Sequence, residues 1–216
     1  MVRHTVQAAA TTAIATLVLT GCGTGDSGQA DDKIEGAKSS PAKTTAPPST
    51  APGEPEIKLP SSMKLVFESW KSDDPKEQAV LDSGAQAERA TYEALTQNPA
   101  NPDSKFVAIY HMKGTGAWSD VQKYIGGFKK AGATVKGTTR YLPPKVAVKG
   151  NRASIVFCAD ESKVASLERQ SGKVLSAAKP NSYTRYSEGL QRNDNVWQVV
   201  SVASKEGGCD SRGVTQ

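Results

Sequence analysis

Lys145-Val146-Ala147-Val148-Lys149-Gly150-Asn151-Arg152-Ala153-Ser154-Ile155-Val156-Phe157-Cys158-Ala159 is the stretch on which the fold turns. Two runs rich in β-branched residues flank Gly150-Asn151, a dipeptide suited to a two-residue hairpin turn. Upstream, Thr134-Val135-Lys136-Gly137-Thr138-Thr139-Arg140-Tyr141-Leu142 is also β-rich, and Pro143-Pro144 separates it from the hairpin. Downstream, Asp160 to about Pro180 reads as a polar loop, and Asn181 to Gln191 as another strand. Arg192-Asn193-Asp194-Asn195 is a turn, Val196 to Ser204 is the last strand, and Gly207-Gly208 leads to Cys209.

Before Ala133 the apolar period changes from that of strands to that of helices. Asp74-Pro75-Lys76-Glu77 has the form of a helix start, with Asp74 as cap, Pro75 in the first helical position and Glu77 at capping-box spacing. This helix runs to about Gln97, with Val80, Leu81, Ala85, Tyr92 and Leu95 toward one side, and Asn98-Pro99 stops it. A second helix covers Asp103 to Lys113 with Phe106, Ile109 and Tyr110 inward, and Gly114 and Gly116 break it. In a third, Trp118, Val121, Ile125 and Phe128 share one face up to about Lys130, and Gly132 is its natural end. Met63 to Trp70 reads as a strand or extended piece ahead of the helices.

Helices followed by a long meander predict an α+β domain whose N-terminal helices pack on a bent antiparallel β-sheet. The order, with Leu65-Val66-Phe67, Gly137-Thr138-Thr139-Arg140-Tyr141, Cys158-Ala159-Asp160, Ser171-Gly172-Lys173-Val174 and Val196-Trp197-Gln198-Val199, is similar to the nuclear transport factor two-like (cystatin-like cone) superfamily. More narrowly, it resembles the small secreted lipoproteins of actinobacteria that carry such a domain. The resemblance covers about residues 60–210 and implies a conical fold with a central cavity, with no settled function.

The start of the chain carries an address. Arg3 and His4 precede an uncharged, mostly apolar run from Val6 to Thr20, shorter than the roughly 20 residues that span a bilayer and suited to the core of a signal peptide. Leu19-Thr20-Gly21-Cys22 follows and resembles the bacterial lipobox, which implies cleavage before Cys22 and a diacylglyceryl group on its sulfur. Two acyl chains hold a protein stably at a membrane where one gives only reversible binding. The expected organisation is a lipoprotein signal peptide at 1–21, the lipidated Cys22 and a Ser/Thr/Pro/Gly linker at 22–57, and the cone-like domain at 58–216. A linker of this composition cannot bury enough apolar surface to order itself, and would reach roughly 30–35 Å or more.

The formal net charge of +5 is spread along the chain, densest at Lys129-Lys130 with Lys136, and no aromatic-basic interleaving points to nucleic acid. Of three cysteines, Cys22 is assigned to lipid. Cys158, in an apolar strand, and Cys209, beyond the last strand, are then left as a disulfide pair in an oxidising space. A metal or reactive-thiol site would need a nearby His or third thiol. No cofactor motif, Walker loop or Ser/His/Asp set is present, and no loop has the oxygen density of a Ca²⁺ site. Asp160-Glu161 at a strand end and Asp194 in a turn read as solvated loop ends.

His111, the single His beyond the signal region, falls at the end of the second helix, where it can complement the helix dipole or serve as a base beside a carboxylate. If the cone is hollow, the residues that would line it are Tyr92, Tyr110, His111, Trp118, Tyr124, Phe128, Tyr141 and Trp197. The expected protein is a lipid-anchored module on the outer face of the cell membrane, non-enzymatic, with no metal or catalytic set. It would bind a small apolar ligand in the cone, or a cell-envelope protein or second copy on the sheet. The alternative is a cavity enzyme doing isomerase- or dehydratase-type proton transfer with His111 and one Asp.

Overall fold

The computed structural model describes residues 56–214. The expected signal peptide, Cys22 and the expected linker up to residue 55 lie outside the described residues. Ile57 already packs into the core.

Strand β1 (Met63–Phe67) leads to three helices, α1 (Pro75–Thr96), α2 (Lys105–Tyr110) and α3 (Gly116–Lys130). The chain then runs through β2 (Ala133–Tyr141), β3 (Lys145–Lys149), β4 (Arg152–Glu168), β5 (Val174–Ser176), β6 (Tyr183–Asn193) and β7 (Val196–Glu206). These form one sheet in the order β1-β2-β4-β6-β7, with β3 and β5 also paired to β4. A short ribbon of β8 (Cys209–Asp210) and β9 (Gly213–Val214) closes the described chain. The domain is α+β: helices on a bent, largely antiparallel sheet, a cone in outline. The exception to antiparallel pairing is β1, which lies parallel to β2.

Strand β4 explains the bend. Its first half pairs with β3 on one edge and β6 on the other; its second half pairs with β2 and β5. Residues 160–168, expected as loop, therefore belong to a strand. Their polar composition reflects one solvated face, and backbone pairing on both edges holds them extended. Opposite Thr139, β4 carries the extra residue of a bulge, between the pairs Thr138–Lys163 and Arg140–Asp160. A bulge bends its strand and changes which alternate side chains face inward. Ala159 and Glu161 face inward before it, whereas beyond it Lys163 is exposed and Val164 packs on the core.

The start of α1 forms as expected but is secured differently. Asp74 accepts hydrogen bonds from the Lys76 and Glu77 amides at 2.7 and 3.3 Å, which satisfies otherwise orphaned donors. Glu77 does not close a capping box: it accepts from the Ser72 hydroxyl at 2.7 Å, and Ser72 Oγ accepts from the Asp74 amide. At the other end of α1, Arg169, just past β4, donates to the carbonyls of Leu95 and Thr96. A cation there suits the negative end of the helix. Helix α2 is shorter than the 103–113 expected, running from the Ser104 cap to Tyr110, and Val107 joins Tyr110 as its fully buried residue.

Between helices and sheet runs an aromatic spine. Phe67 stacks on Tyr141 at 4.6 Å between centroids, Trp70 and Phe157 meet edge-on at 5.3 Å, and Phe157 stacks on Tyr186 at 5.3 Å. Such pairs add about 0.5–1.5 kcal/mol each beyond their burial. The spine ends at Tyr141 and Tyr186, the two of its rings that line a cavity. Cys158 and Cys209 are joined by a disulfide that closes the chain over 51 positions and ties the ribbon to β4.

Candidate functional site

A cavity of about 360 Å³ lies between the concave face of the sheet and the three helices, within the size range of small-molecule sites. Helix α1 contributes Glu88, Thr91 and Tyr92, spaced so that all three fall on the face turned to the sheet. His111, the C-cap of α2, and Asp120 and Tyr124 of α3 supply a second wall. The sheet supplies Tyr141, Glu161, Tyr186 and Glu188 from β2, β4 and β6.

Two hydrogen-bonded groups organise these side chains. In the first, the Tyr141 hydroxyl donates to Glu88 Oε2 at 2.7 Å, and Glu188 reaches Glu88 from the opposite wall. Burial raises Glu88 to about 7, against the lowering effect of the Tyr141 hydroxyl. Glu188, 4% exposed, is pushed well above the usual carboxylate range by burial and by the neighbouring Glu88. Its Oε2 is buried without a hydrogen-bond partner. Two carboxyl groups so close in a dry site cannot both ionise readily, so Glu188 holds a proton beside Glu88.

In the second group, the Tyr92 hydroxyl lies 3.1 Å from Thr139 Oγ1 and 3.5 Å from Glu161 Oε1, and Thr184 Oγ1 donates to Glu161 Oε2 at 3.2 Å. Burial raises Glu161, while its hydroxyl donors work the other way. His111 is pushed down to about 4 by burial, against the raising effect of a hydrogen bond to the Val107 backbone, so its imidazole is neutral at pH 7. Among these described lining residues there is no lysine or arginine.

The adjacent carboxylate Asp160 does not belong to the cavity. It points to the other face of β4, where Arg140 binds it at 3.1 Å and Glu68 at 2.7 Å. Neither Asp160, only 6% exposed, nor the half-buried Glu161 is the solvated loop end expected, because both sit within a paired strand.

Of the eight expected lining residues, the structure brings Tyr92, His111, Tyr124 and Tyr141 together at the cavity. Tyr110 and Trp197 are buried in the core instead. Trp118 is half-buried beneath the Lys113 ammonium, 5.7 Å from its ring centroid. Phe128 lines a separate, more open groove of about 550 Å³ with Tyr124 and Leu175; that groove has no comparable set of converging carboxyl groups. Sequence reasoning missed Glu88, Tyr186 and Glu188. Glu88 lies on the same stripe as Leu81, Ala85, Tyr92 and Leu95, and Tyr186 and Glu188 alternate with Leu190, which is buried.

The fold and site thus define a cone-shaped α+β protein with an acidic, tyrosine-rich interior. No family model matches the chain, and no curated protein matches it significantly. Among solved structures it is similar to a de novo designed β-sheet protein at 14% identity, over 62% of this chain and 94% of that one, with a TM-score of 0.34. It is also similar to a protein from Streptomyces avermitilis provisionally described as a dehydratase of the NTF2-like family: 12% identity, 62% of this chain and 99% of that one, TM-score 0.40. A third is a calcium/calmodulin-dependent protein kinase II association domain, also provisionally described, from Xanthomonas campestris: 15% identity, 59% and 87%, TM-score 0.34.

Proposed function

We propose that this protein is a lipid-tethered, extracytoplasmic binding protein of the nuclear transport factor two-like cone type, which holds a small organic ligand inside the cone. The observation that carries the ligand is the cavity itself, about 360 Å³, on which four carboxyl groups and four tyrosines converge. Polar groups converging on a space of this size fix the orientation of a small ligand. The tether rests on Leu19-Thr20-Gly21-Cys22 at the end of an apolar run.

Purification of the full chain from membranes, with mass spectrometry of what it releases, tests the ligand. A stoichiometric small molecule is expected. Empty protein, or an empty cavity with a cell-envelope protein or a second copy bound to the sheet, overturns the ligand reading. Acyl labelling of a Cys22→Ser variant tests the tether: the variant should take up no acyl label and keep its signal peptide, and labelling equal to wild type counts against lipidation at Cys22.

A second reading, a proton-transfer enzyme, is favoured by the Glu88–Tyr141 contact at 2.7 Å. Glu88 lies near the operating pH, as a general base should. This differs from the His-and-Asp pair expected from sequence. With its pKa near 4, His111 would serve as a neutral hydrogen-bonding group there. Turnover of the released molecule by the purified chain would decide for this reading.

A further inference from the structure

We propose that the ligand of the cone is a small organic cation, an ammonium carried on a compact apolar body; this rests on the cavity being a ligand site. The lining collects four carboxyl groups, Glu88, Asp120, Glu161 and Glu188, and no lysine or arginine among the described residues that line it. An anionic ligand would meet acidic groups on helix and sheet alike and no cation to pair with. A neutral apolar ligand would fill the space but offer the converging carboxyl groups no donor. An ammonium supplies the donors that carboxylates accept, and charge-assisted hydrogen bonds of this kind are the strong ones.

The rest of the wall suits the same occupant. Tyr92, Tyr124, Tyr141 and Tyr186 line the cavity beside those acids. Aromatic rings attract cations through the negative faces of their π-systems, most strongly where water is excluded. This makes the ligand more specific than the apolar one that the aromatic residues alone suggest. Val121 and Val202 on α3 and β7 offer surface to its apolar part.

Charge balance gives the proposal a second signature. The groups facing the site are Glu88 and Tyr92 from α1, His111 from the α2 cap, and Asp120 and Tyr124 from α3. From the sheet come Tyr141, Glu161, Tyr186 and Glu188. The tyrosines stay protonated and the buried histidine neutral across neutral pH. The raised carboxyl groups Glu88, Glu161 and Glu188 respond, and a bound cation favours their ionised form. Binding therefore releases protons and tightens as pH rises from 6 to 8.

The test is calorimetric titration of the full chain, purified from membranes in a non-ionic detergent, with three probes of one skeleton: 2-phenylethylammonium, 2-phenylethanol and phenylacetate. The ammonium is expected to bind at least about tenfold tighter than the alcohol, with no binding of the carboxylate, and its affinity should rise from pH 6 to pH 8. Glu188→Gln and, separately, Glu161→Gln should each weaken the ammonium about tenfold and leave the alcohol unchanged. Two near-isosteric variants guard against one that fails to fold, and the melting temperature identifies it. Equal affinity for ammonium and alcohol, tighter binding of phenylacetate, or no binding of the ammonium overturns the cation. In the first two cases the ligand site stands. In the third it falls as well only if membrane-purified protein also releases no small molecule.

Discussion

The Tyr141 hydroxyl and the Glu88 carboxylate, brought together at 2.7 Å from strand β2 and helix α1, link the aromatic core of the cone to its acidic interior. Tyr141 is 1% exposed and stacks on Phe67, so its ring cannot follow a moving carboxylate. The hydroxyl is thus a fixed donor, and Glu88 is held with one oxygen satisfied and Glu188 alongside. The arrangement stores a protonated acid in a cavity that a ligand can enter. It also leaves the pair's charge state sensitive to pH and to any cation that arrives.

Glu88 and His111 should act on stability in opposite directions. Glu88 is raised from 4.5 to about 7 on folding, so its contribution is present below pH 4.5 and is lost as pH rises through 7. His111 is lowered from 6.5 to about 4, so its contribution is present above pH 6.5 and is lost as pH falls through 4. Each effect is on the order of 3 kcal/mol, and between pH 4.5 and 6.5 they offset. In Glu88→Gln, unfolding free energy should rise with pH across that window. In His111→Gln it should fall. Urea denaturation at closely spaced pH values measures both slopes, and parallel slopes in the two variants would contradict the assignment.

Tyr141→Phe removes the donor that holds Glu88 down and leaves the ring in its stack. The Glu88 carboxyl should then titrate above its present value of about 7, which carboxyl-carbon NMR of glutamate-labelled protein would follow. Loss of one hydrogen bond to a charged group should also cost about 1.5–3 kcal/mol at pH 8 and less at pH 5, where Glu88 is protonated in both forms. An unmoved Glu88 titration would mean the hydroxyl has no hold on the carboxylate.

Much of the frame was legible because helix and strand periods are set by local burial. The stripe of Val80, Leu81, Ala85, Tyr92 and Leu95, the Asp74 cap and the Gly150-Asn151 turn all appear where local chemistry demands them. Cys158 and Cys209 could be paired in advance because assigning Cys22 to lipid leaves these two cysteines to each other. The acidic interior was not legible, because charge at an inward position looks like surface until the fold is known. Glu88 completes the α1 stripe and Glu188 the inward row of β6, but each reads as solvated in isolation. The second half of β4 was hidden for a different reason: Asp160-Glu161-Ser162-Lys163 is an unbroken polar run, and pairing with β2, and with β6 at its start, keeps it extended.

Gly137 is required by a close approach. It sits in β2 at φ +122°, and a Cβ there would lie 1.9 Å from the Lys163 carbonyl oxygen of β4. A backbone atom cannot yield as a side chain can, and the positive φ is itself unfavourable for any other residue. Gly137→Ala should lose about 2–4 kcal/mol and loosen the β2–β4 pairing. Hydrogen-exchange protection of Val164 and Ala165 reads the local effect, and wild-type protection would refute the steric account.

The link between Cys158 and Cys209 spans 51 positions and fastens the β8–β9 ribbon to the middle of β4. Loop closure over that length accounts for about 4 kcal/mol in the chain-entropy picture, and native disulfides typically contribute 2–5. Cys158 is fully buried, one residue before Ala159 of the cavity wall. A Cys158→Ser change would bury a new hydroxyl as well as remove the link. Cys209→Ser paired with Cys158→Ala separates the two effects by leaving an apolar group at the buried position. The double variant should unfold about 2–4 kcal/mol earlier than the oxidised protein in urea, and reduction of the wild type should reproduce most of that loss. Cavity occupancy by the ammonium probe should survive in the double variant at low temperature, since β4 remains paired with β2, β3 and β6 along its length. Were binding lost while the sheet stays folded, the disulfide would be holding Ala159 and Glu161 in place for the ligand rather than stabilising the chain alone.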